Sequence, residues 1–341
     1  MAPDFLITID TEADNEWDLT SDRTFANLQR LRELQDLCDG YGVKPTYLVA
    51  YDVVEDDVSR ELLQELLDEG NCEIGAHLHA WSTPPDYELV PGIFRHNPYL
   101  HEFPPHIQEQ KLDNLTRAIT SAFGKPLSYR GGRWSFDTFA AELLTESGYR
   151  VDSTVTPGVS WQVNPGYSPG AVGPSYAGAP QAPYCLDPVN VTLPAEDGLV
   201  EVPVSITARG SLKHLAQSRS GNTNCLSPIE ALGRRALHKT GLCRMVWLRP
   251  GFTSADDMMW ACDELCRQNA PVLNLMFHSS ELIPGGSPRI PNDSAAQQFV
   301  DDLDRLLAYV SRNLGVRGLT LQEFAREWRE AALPMEVAHA D

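Results

Sequence analysis

Short apolar segments alternate with helical patterns along nearly the whole of this 341-residue sequence, and this alternation restricts the folds that the chain can adopt. The clearest helical pattern covers 24–41, where Leu28, Leu31, Leu34 and Leu37 recur at helical spacing. We predict strands at 5–10, 44–50, 72–78, 127–130, 149–155, 199–206, 245–248, 272–277 and 318–321. We predict helices at 24–41, 57–69, 105–123, 135–147, 254–268 and 293–313, with a last helix after 321.

The order of these elements indicates the fold class. Strands that alternate with helices favour an α/β protein with a parallel sheet. Seven or eight such strands in a chain of this length fit a (β/α) barrel, with an open sheet as the alternative. Two segments interrupt the alternation, and we predict long loops at 80–105 and 156–195. Because the sequence contains neither an internal repeat nor a linker, we expect residues 1–341 to form a single domain.

The charge of the chain excludes two classes of partner. The sequence has 47 acidic residues against 27 Lys and Arg, which gives a formal net charge of −20. A nucleic-acid partner would require a basic surface, and an anionic membrane would repel the chain, so we expect neither. No apolar stretch is long enough to span a bilayer, and the N-terminal residues do not resemble a signal peptide. We therefore expect a cytoplasmic protein, and the oligomeric state stays open.

Polar side chains end several of the predicted strands. In a parallel barrel the carboxyl ends of the strands meet at one mouth, where the chemistry of such folds is located. One polar strand end is ordinary, but a mixture of acids, histidines and arginines at five of them is not. The residues concerned are Asp10, Glu12, His77, His79, Arg130, Arg133, Asp152 and His278.

His77 and His79 stand in the segment EIGAHLHAW, at the end of a predicted strand. Alternate residues of a strand point to one face, so these two imidazoles can chelate one metal ion. Two hydrogen-bonded histidines would give the same pattern, and the segment alone does not separate the two interpretations. The neighbouring strand ends favour the metal, because together they supply ligands, a second carboxylate to accept a proton from water and an imidazole to donate one.

Five segments in this order resemble the motif series of the NodB-type polysaccharide deacetylases: TIDTEAD, EIGAHLHAW, SYRGGRW, DSTVTPG and FHSSELIPGGSP. The similarity is greatest to a branch with an HxH second motif and an HSSEL fifth motif, and it extends over about residues 5–325. The resemblance implies a distorted (β/α) barrel of about seven strands, a divalent metal cofactor with Zn²⁺ as the expected ion, and removal of N-acetyl groups from sugars.

The resemblance also implies roles for individual residues. Asp10 corresponds to the catalytic base, His278 to the catalytic acid, His77 to the first metal-binding histidine and Arg130 to the arginine that steadies the base. The sequence departs from the family at two positions, where Thr11 replaces a second aspartate and Trp81 replaces the second histidine. The remaining metal ligands would then be Glu12 and His79.

Further residues have two interpretations each. Arg133, Trp81 and Trp134 are candidates to bind a sugar substrate, or they serve as ion-pairing and core residues. Asp152 either orients His278 or caps a strand end. Three histidines, His96, His101 and His106, lie on a loop that is either solvated or covers the substrate, and His101 or His106 could supply a further metal ligand.

The sequence therefore predicts a metal-dependent deacetylase that acts on an amino sugar or an N-acetylated glycan. Two alternatives remain at this point. The first is a hydrolase of small non-sugar amides, ureides or formamides on the same barrel. The second is a carbohydrate-binding protein that has the barrel without turnover.

Overall fold

The first strand, β1 (Asp4–Thr11), lies in a curled ten-stranded sheet. The computed structural model describes residues 2–18, 22–90, 96–210 and 244–332. The other strands are β2 (Pro45–Val49), β3 (Glu73–Leu78), β4 (Ser128–Gly131), β5 (Val151–Asp152), β6 (Tyr184–Asp187), β7 (Asn190–Ala195), β8 (Val200–Glu201), β9 (Ile206–Arg209), β10 (Arg244–Trp247), β11 (Val272–His278) and β12 (Arg317–Gly318). The α-helices are α1 (Leu31–Gly40), α2 (Tyr51–Glu55), α3 (Asp57–Asp68), α4 (Pro105–Phe123), α5 (Thr138–Ser147), α6 (Ala255–Arg267), α7 (Asp293–Tyr309) and α8 (Leu321–Ala332).

The sheet is mainly parallel, as the alternation of strands and helices predicts. Its order is β11-β1-β2-β3-β4-β5-β8-β6-β7, with β12 paired to the lower end of β1. All pairs from β11 to β8 are parallel, whereas β8, β6 and β7 form an antiparallel edge. A separate antiparallel pair consists of β9 and β10.

The barrel closes where the chain after β8 meets β11. The backbone N–H of Ser205 donates to the Asn274 carbonyl at 3.0 Å, and the N–H of Met276 donates to the Leu248 carbonyl at 3.0 Å. The Asn274 side chain also donates to Ser153 Oγ at 3.0 Å and to the Val202 carbonyl at 3.1 Å. Irregular contacts thus replace a regular strand ladder at this seam, so the protein is a distorted (β/α) barrel, as predicted, rather than an open sheet.

Alternation along β1 divides the core into two parts. Phe5, Ile7 and Ile9 point outward into the main core beneath the helices. Leu6 points inward to an apolar layer that also contains residues of β5, β8 and α8, so the last helix closes the bottom of the barrel. Asp10 shares the inward face with Leu6, because side chains of a strand alternate. The inner face of β1 therefore changes from apolar at the bottom to ionisable at the mouth.

Several predicted elements differ from the observed ones, and the strand predicted at 149–155 is reduced to Val151–Asp152. The strand predicted at 199–206 is divided into β8 and β9 around Pro203, which has no N–H for a strand ladder. The loop predicted at 156–195 ends in the antiparallel pair β6 and β7. The helix predicted at 24–41 begins as a 3₁₀ turn, Ala26–Arg30, before α1.

In the part of the chain that the structure describes, no helix combines the length and the apolar character needed to cross a bilayer.

Candidate metal centre and active site

Four strand ends bring the predicted residues together at the barrel mouth. The register of β1 and β11 places Asp10 beside His278, and the register of β3 and β4 places His77 beside Arg130. Asp10, His77 and Arg130 are buried, with at most 2% of their surface exposed. Parallel pairing thus assembles from distant segments the cluster that the sequence predicts.

Glu12, His77 and His79 form a group that could hold a metal ion. The Glu12 Oε2 atom lies 3.2 Å from His79 Nε2 and 3.8 Å from His77 Nε2. The two imidazole rings meet edge to face, with centroids 4.6 Å apart. Two imidazole nitrogens and one carboxylate oxygen are a donor set that suits zinc, with further coordination positions left open.

The hydrogen bonds of the histidines support this interpretation. His77 Nδ1 lies 3.0 Å from the Arg130 carbonyl, which can only accept, so this nitrogen carries the proton and Nε2 presents a lone pair. Burial lowers the pKa of His77 to about 3, so the ring is neutral, as a ligand must be. The buried His79 Nδ1 has no hydrogen-bond partner among the described residues and lies 3.9 Å from Glu16 Oε2. The residues present therefore fit a divalent ion.

The pKa values of Glu12 and His79 are both raised. Burial raises the pKa of Glu12, although His278 and His79 oppose the shift. The pKa of His79 is raised despite burial, because Glu12, Glu16 and Asp52 surround the ring with carboxylates. These carboxylates favour the protonated form of His79 in the absence of a metal ion, and a metal bound at His79 would have to displace that proton.

Asp10 is paired with a fully buried arginine. Arg130 Nη1 donates to Asp10 Oδ1 at 2.7 Å, and its other donors reach the Ser153 carbonyl, Ser153 Oγ and Thr8 Oγ1 at 2.7 to 2.9 Å. Burial alone would raise the pKa of Asp10, but the charges of Arg130, His77 and His278 lower it well below its usual value. Asp10 Oδ2 stays free of Arg130 and faces His77 and His278 at 3.8 Å and 3.7 Å.

Glu281 and Arg249, rather than Asp152, contact His278. Glu281 Oε2 lies 3.3 Å from His278 Nδ1 and accepts the His278 backbone N–H at 3.0 Å. Arg249 Nη2 lies 2.8 Å from the same Nδ1 and donates to Glu281 Oε1 at 3.1 Å. Burial alone would raise the pKa of Glu281, but the charge of Arg249 and the hydrogen bonds and charge of His278 together lower it to about 2.

Asp152 has a different environment and does not contact His278, so of its two suggested roles the orientation of His278 does not fit. Its carboxyl group accepts hydrogen bonds from the N–H and the hydroxyl of Thr154, at 3.1 Å and 2.6 Å. It also lies against Glu201, and burial raises the pKa of both carboxyl groups. Asp152 is therefore half of a buried carboxyl pair inside the barrel.

Above the cluster lies an open cleft of about 380 Å³ with aromatic walls. Trp81 stacks on His79 with centroids 4.2 Å apart, and Trp134 stacks on Trp161 at 6.0 Å. Arg133 lines the cleft too, but it donates to the Asn97 and Pro165 carbonyls and the Tyr99 hydroxyl. Arg133 is thus largely occupied by protein acceptors.

The three loop histidines differ in position. His96 lines the cleft, whereas His101 stacks on Tyr99 and contacts Ser135, and neither His101 nor His106 lines it. Among the described residues, none of the three joins the group of possible metal ligands. Gly132 packs directly under the site, since a Cβ there would lie 2.7 Å from His79 Cδ2.

Sequence reasoning missed several residues of this site. Glu281 lies three positions after His278 in HSSEL, and that spacing at a strand end was its one local signal. Glu16, Trp17 and Arg289 line the cleft from loops, where no periodic pattern marks them.

Comparisons with known proteins support the fold. No protein-family model and no curated protein matches the sequence. A candidate polysaccharide deacetylase from Mycobacterium smegmatis is similar with a TM-score of 0.53 and 16% identity, over 98% of this chain and 93% of that one. A candidate glycoside hydrolase/deacetylase from Parabacteroides distasonis gives 0.57 and 14%, over 96% and 72%.

A 4-alpha-glucanotransferase from Thermococcus litoralis gives a TM-score of 0.53 and 10% identity, over 96% of this chain and 40% of that one. Since proteins with different reactions share this architecture, the similarity concerns the fold and not the reaction. The strand order, the closure of the barrel and these structural relatives agree with the motif series. The chain has the distorted (β/α) barrel fold of the NodB-type polysaccharide deacetylases.

Proposed function

We propose that the protein is a metal-dependent hydrolase that removes the N-acetyl group from an amino sugar or an N-acetylated glycan. One observation carries this proposal. The possible metal ligands Glu12, His77 and His79 adjoin an arginine-paired Asp10, and His278 stands on the other side of that aspartate. Amide hydrolysis needs these groups in this proximity: an electrophilic centre, a base and an acid.

Glu12, His77 and His79 would hold the ion, and a divalent ion supplies Lewis-acid polarisation of the acyl carbonyl and of water. Zn²⁺ is the ion we propose, because the donor set contains two imidazoles. The stacking of Trp81 on His79 and the fit of Gly132 beneath that ring restrict its rotation.

Asp10 accepts the proton of the attacking water. Arg130 keeps the carboxylate ionised and occupies Oδ1, which leaves Oδ2 directed into the site. His278 donates a proton to the leaving amine, because an amide anion is too basic to depart. In this protonated state His278 Nδ1–H donates to Glu281, which Arg249 holds in place, so that Nε2 points toward Asp10 and the cleft.

The walls of the cleft favour a sugar as the substrate. Trp17, Trp81, Tyr99, Trp134 and Trp161 line it, and apolar ring faces of this kind stack on the C–H faces of pyranose rings. Trp17 is 44% exposed at the rim, edge-on to His278 with centroids 5.1 Å apart. A small formamide or ureide would leave most of this surface without contact.

The test compares acetate release from N-acetylglucosamine oligomers with hydrolysis of acetamide, formamide and a cyclic ureide. We expect zinc-loaded protein to cleave the sugars, and Asp10→Asn to lower turnover by about 10²–10⁴ while the bound zinc is retained. The matched control is Asp4→Asn, because Asp4 lies at the other end of β1 and also pairs with an arginine, Arg317. This control should keep full activity.

Three results would contradict the proposal. Turnover of the small amides alone would indicate the non-sugar hydrolase. Sugar binding without turnover at any metal loading would indicate a carbohydrate-binding protein. Loss of zinc together with activity in Asp10→Asn would make Asp10 a ligand rather than the base.

A further inference from the structure

Two arginines line the cleft on the side of His278, and they differ from the other cations of the site. Arg249 is buried, with 8% of its surface exposed, whereas Arg289 is exposed on the loop that follows β11. We propose that Arg249 and Arg289 form a subsite for an anionic substituent, so that the substrate is an acidic N-acetylated sugar. This inference rests on the proposed function for the sugar, and on the two arginines for the anion.

Arg249 has donors that the protein does not use. Its Nη2 atom donates to Glu281 Oε1 and contacts His278 Nδ1. Its Nε atom is buried without a hydrogen-bond partner in the described part of the chain, and no described residue accepts from Nη1. A guanidinium carries five N–H donors, so the two N–H groups of Nη1 remain for a ligand, with the unpaired Nε–H buried behind them.

Arg289 has no carboxylate partner among residues 2–18, 22–90, 96–210 and 244–332. Its guanidinium lies 4.6 Å from the centre of the Phe252 ring, and none of its N–H groups donates to a described residue. Arg133 is the contrasting case, because protein oxygens and the Tyr99 ring already occupy it.

The charges on this wall do not balance. Glu281 is the carboxylate that pairs with Arg249, and it also binds His278, whereas Arg289 forms no ion pair of its own among the described residues. Burial, and after it the charge of Arg249, lowers the pKa of Arg289, whereas the charge of Glu281 opposes the shift. An anion bound beside both guanidinium groups would reduce the repulsion between Arg249 and Arg289.

The chemistry of the two groups indicates the class of anion. Arginine binds the oxygens of carboxylates and phosphates through paired N–H groups, with more directional selectivity than lysine. In a chain with a formal net charge of −20, an acidic substrate is repelled by most of the surface. The arginine pair would therefore favour sugars that carry an anionic group over neutral sugars. It would also orient the bound sugar with the charged substituent on the His278 side.

The experiment measures binding without turnover, in zinc-loaded Asp10→Asn protein, by calorimetry. The neutral probe is N-acetylglucosamine. The anionic probes are its 6-carboxylate, its 1-phosphate and its 6-phosphate, which separate carboxylate from phosphate recognition. We expect at least one anionic probe to bind about tenfold more tightly than the neutral sugar, and this preference to fall as salt rises.

Arg289→Gln should abolish the preference for the anion. The matched control is Arg312→Gln, because Arg312 also lies over an aromatic ring, that of Tyr41, but away from the cleft. The control should keep the preference. Equal affinity for the neutral and all anionic probes, or an unchanged preference in Arg289→Gln, would overturn the subsite. Selective binding without any acetate release by the unsubstituted protein would instead overturn the proposed function and leave the subsite intact.

Discussion

Replacement of Arg130 by methionine tests whether a buried ion pair organises the site. Methionine has a similar length and no charge, so the substitution removes the guanidinium with little change of shape. Of the four acceptors that Arg130 reaches, two keep other partners: Thr8 Oγ1 contacts Asn274, and Ser153 Oγ contacts the Val202 carbonyl. The Asp10 carboxylate and the Ser153 carbonyl lose their donor.

The magnitude follows from these two losses. An orphaned buried carbonyl costs about 1–3 kcal/mol, and removal of one partner of a buried ion pair costs about 3–5 kcal/mol. We therefore expect Arg130→Met to lower the free energy of unfolding by at least about 3 kcal/mol at pH 7. Because most of this cost is the unpaired charge of Asp10, the double variant with Asp10→Asn should be more stable than Arg130→Met alone.

Protonation of Asp10 should destabilise the wild-type protein but stabilise Arg130→Met. In the wild-type protein the pKa of Asp10 is below its ordinary value of 3.8, so this carboxylate contributes stability above that pH and loses it as pH falls further. Without Arg130, we expect burial to raise the pKa of Asp10 above 3.8. Protonation of Asp10 then favours the folded state, so the penalty of Arg130→Met should shrink as pH falls from neutral.

Urea unfolding between pH 5 and pH 8, in the presence of a chelator, measures these quantities for the wild type, both single variants and the double variant. The chelator removes any metal that would compensate the charge of Asp10. A penalty below about 1 kcal/mol, or one that does not depend on pH, would refute the reasoning. So would a double variant that is no more stable than Arg130→Met.

Three further predictions concern single groups. His79→Ala should sharply lower the zinc content measured after dialysis, whereas His101→Ala, at a ring that stacks on Tyr99, should not. The reverse result would make His101 the metal ligand in place of His79. His278→Ala should retain zinc and slow amide cleavage much more than cleavage of an activated acetyl ester, because a good leaving group needs little protonation; equal losses would argue against a general acid. Burial and Asp152 raise the pKa of Glu201 above its ordinary 4.5, so the stability of the wild-type protein should fall as pH rises from that value. In urea titrations Glu201→Gln should reduce this dependence on pH. An unchanged dependence would mean that the titrating proton is not on Glu201.

The inward-facing strand ends could be predicted from the sequence, because period-two alternation and parallel pairing are properties of the backbone. Asp10, His77 and Arg130 each follow an apolar strand, and parallel strands end at the same mouth whatever lies between them in the sequence. Trp81 occupies the position of the family's second histidine, so another residue had to be predicted as that ligand. His79 could be chosen because a step of two residues along a strand keeps it on the same face as His77.

The partners of those residues could not be predicted in the same way. Arg249 reaches His278 from another segment, and Asp152 pairs with Glu201 because β5 lies beside β8. Each contact depends on rotamers and on strand neighbours that carry no local signal. The hairpin of β6 and β7 was missed for a related reason: its segment is rich in Pro and Gly, and it forms strands because β8 offers an open edge.

The pairing of β1 with β11 determines when the site can exist during folding. The Glu12 N–H meets Ser279 Oγ across 267 residues of sequence, and Asp10 and His278 are neighbours only through the same pairing. Contacts of such long range form late, because the chain must first lose the entropy of a very large loop. We therefore expect β2, β3 and their helices to form while Asp10 and His278 are still apart, so that the site is assembled only in a late step of folding.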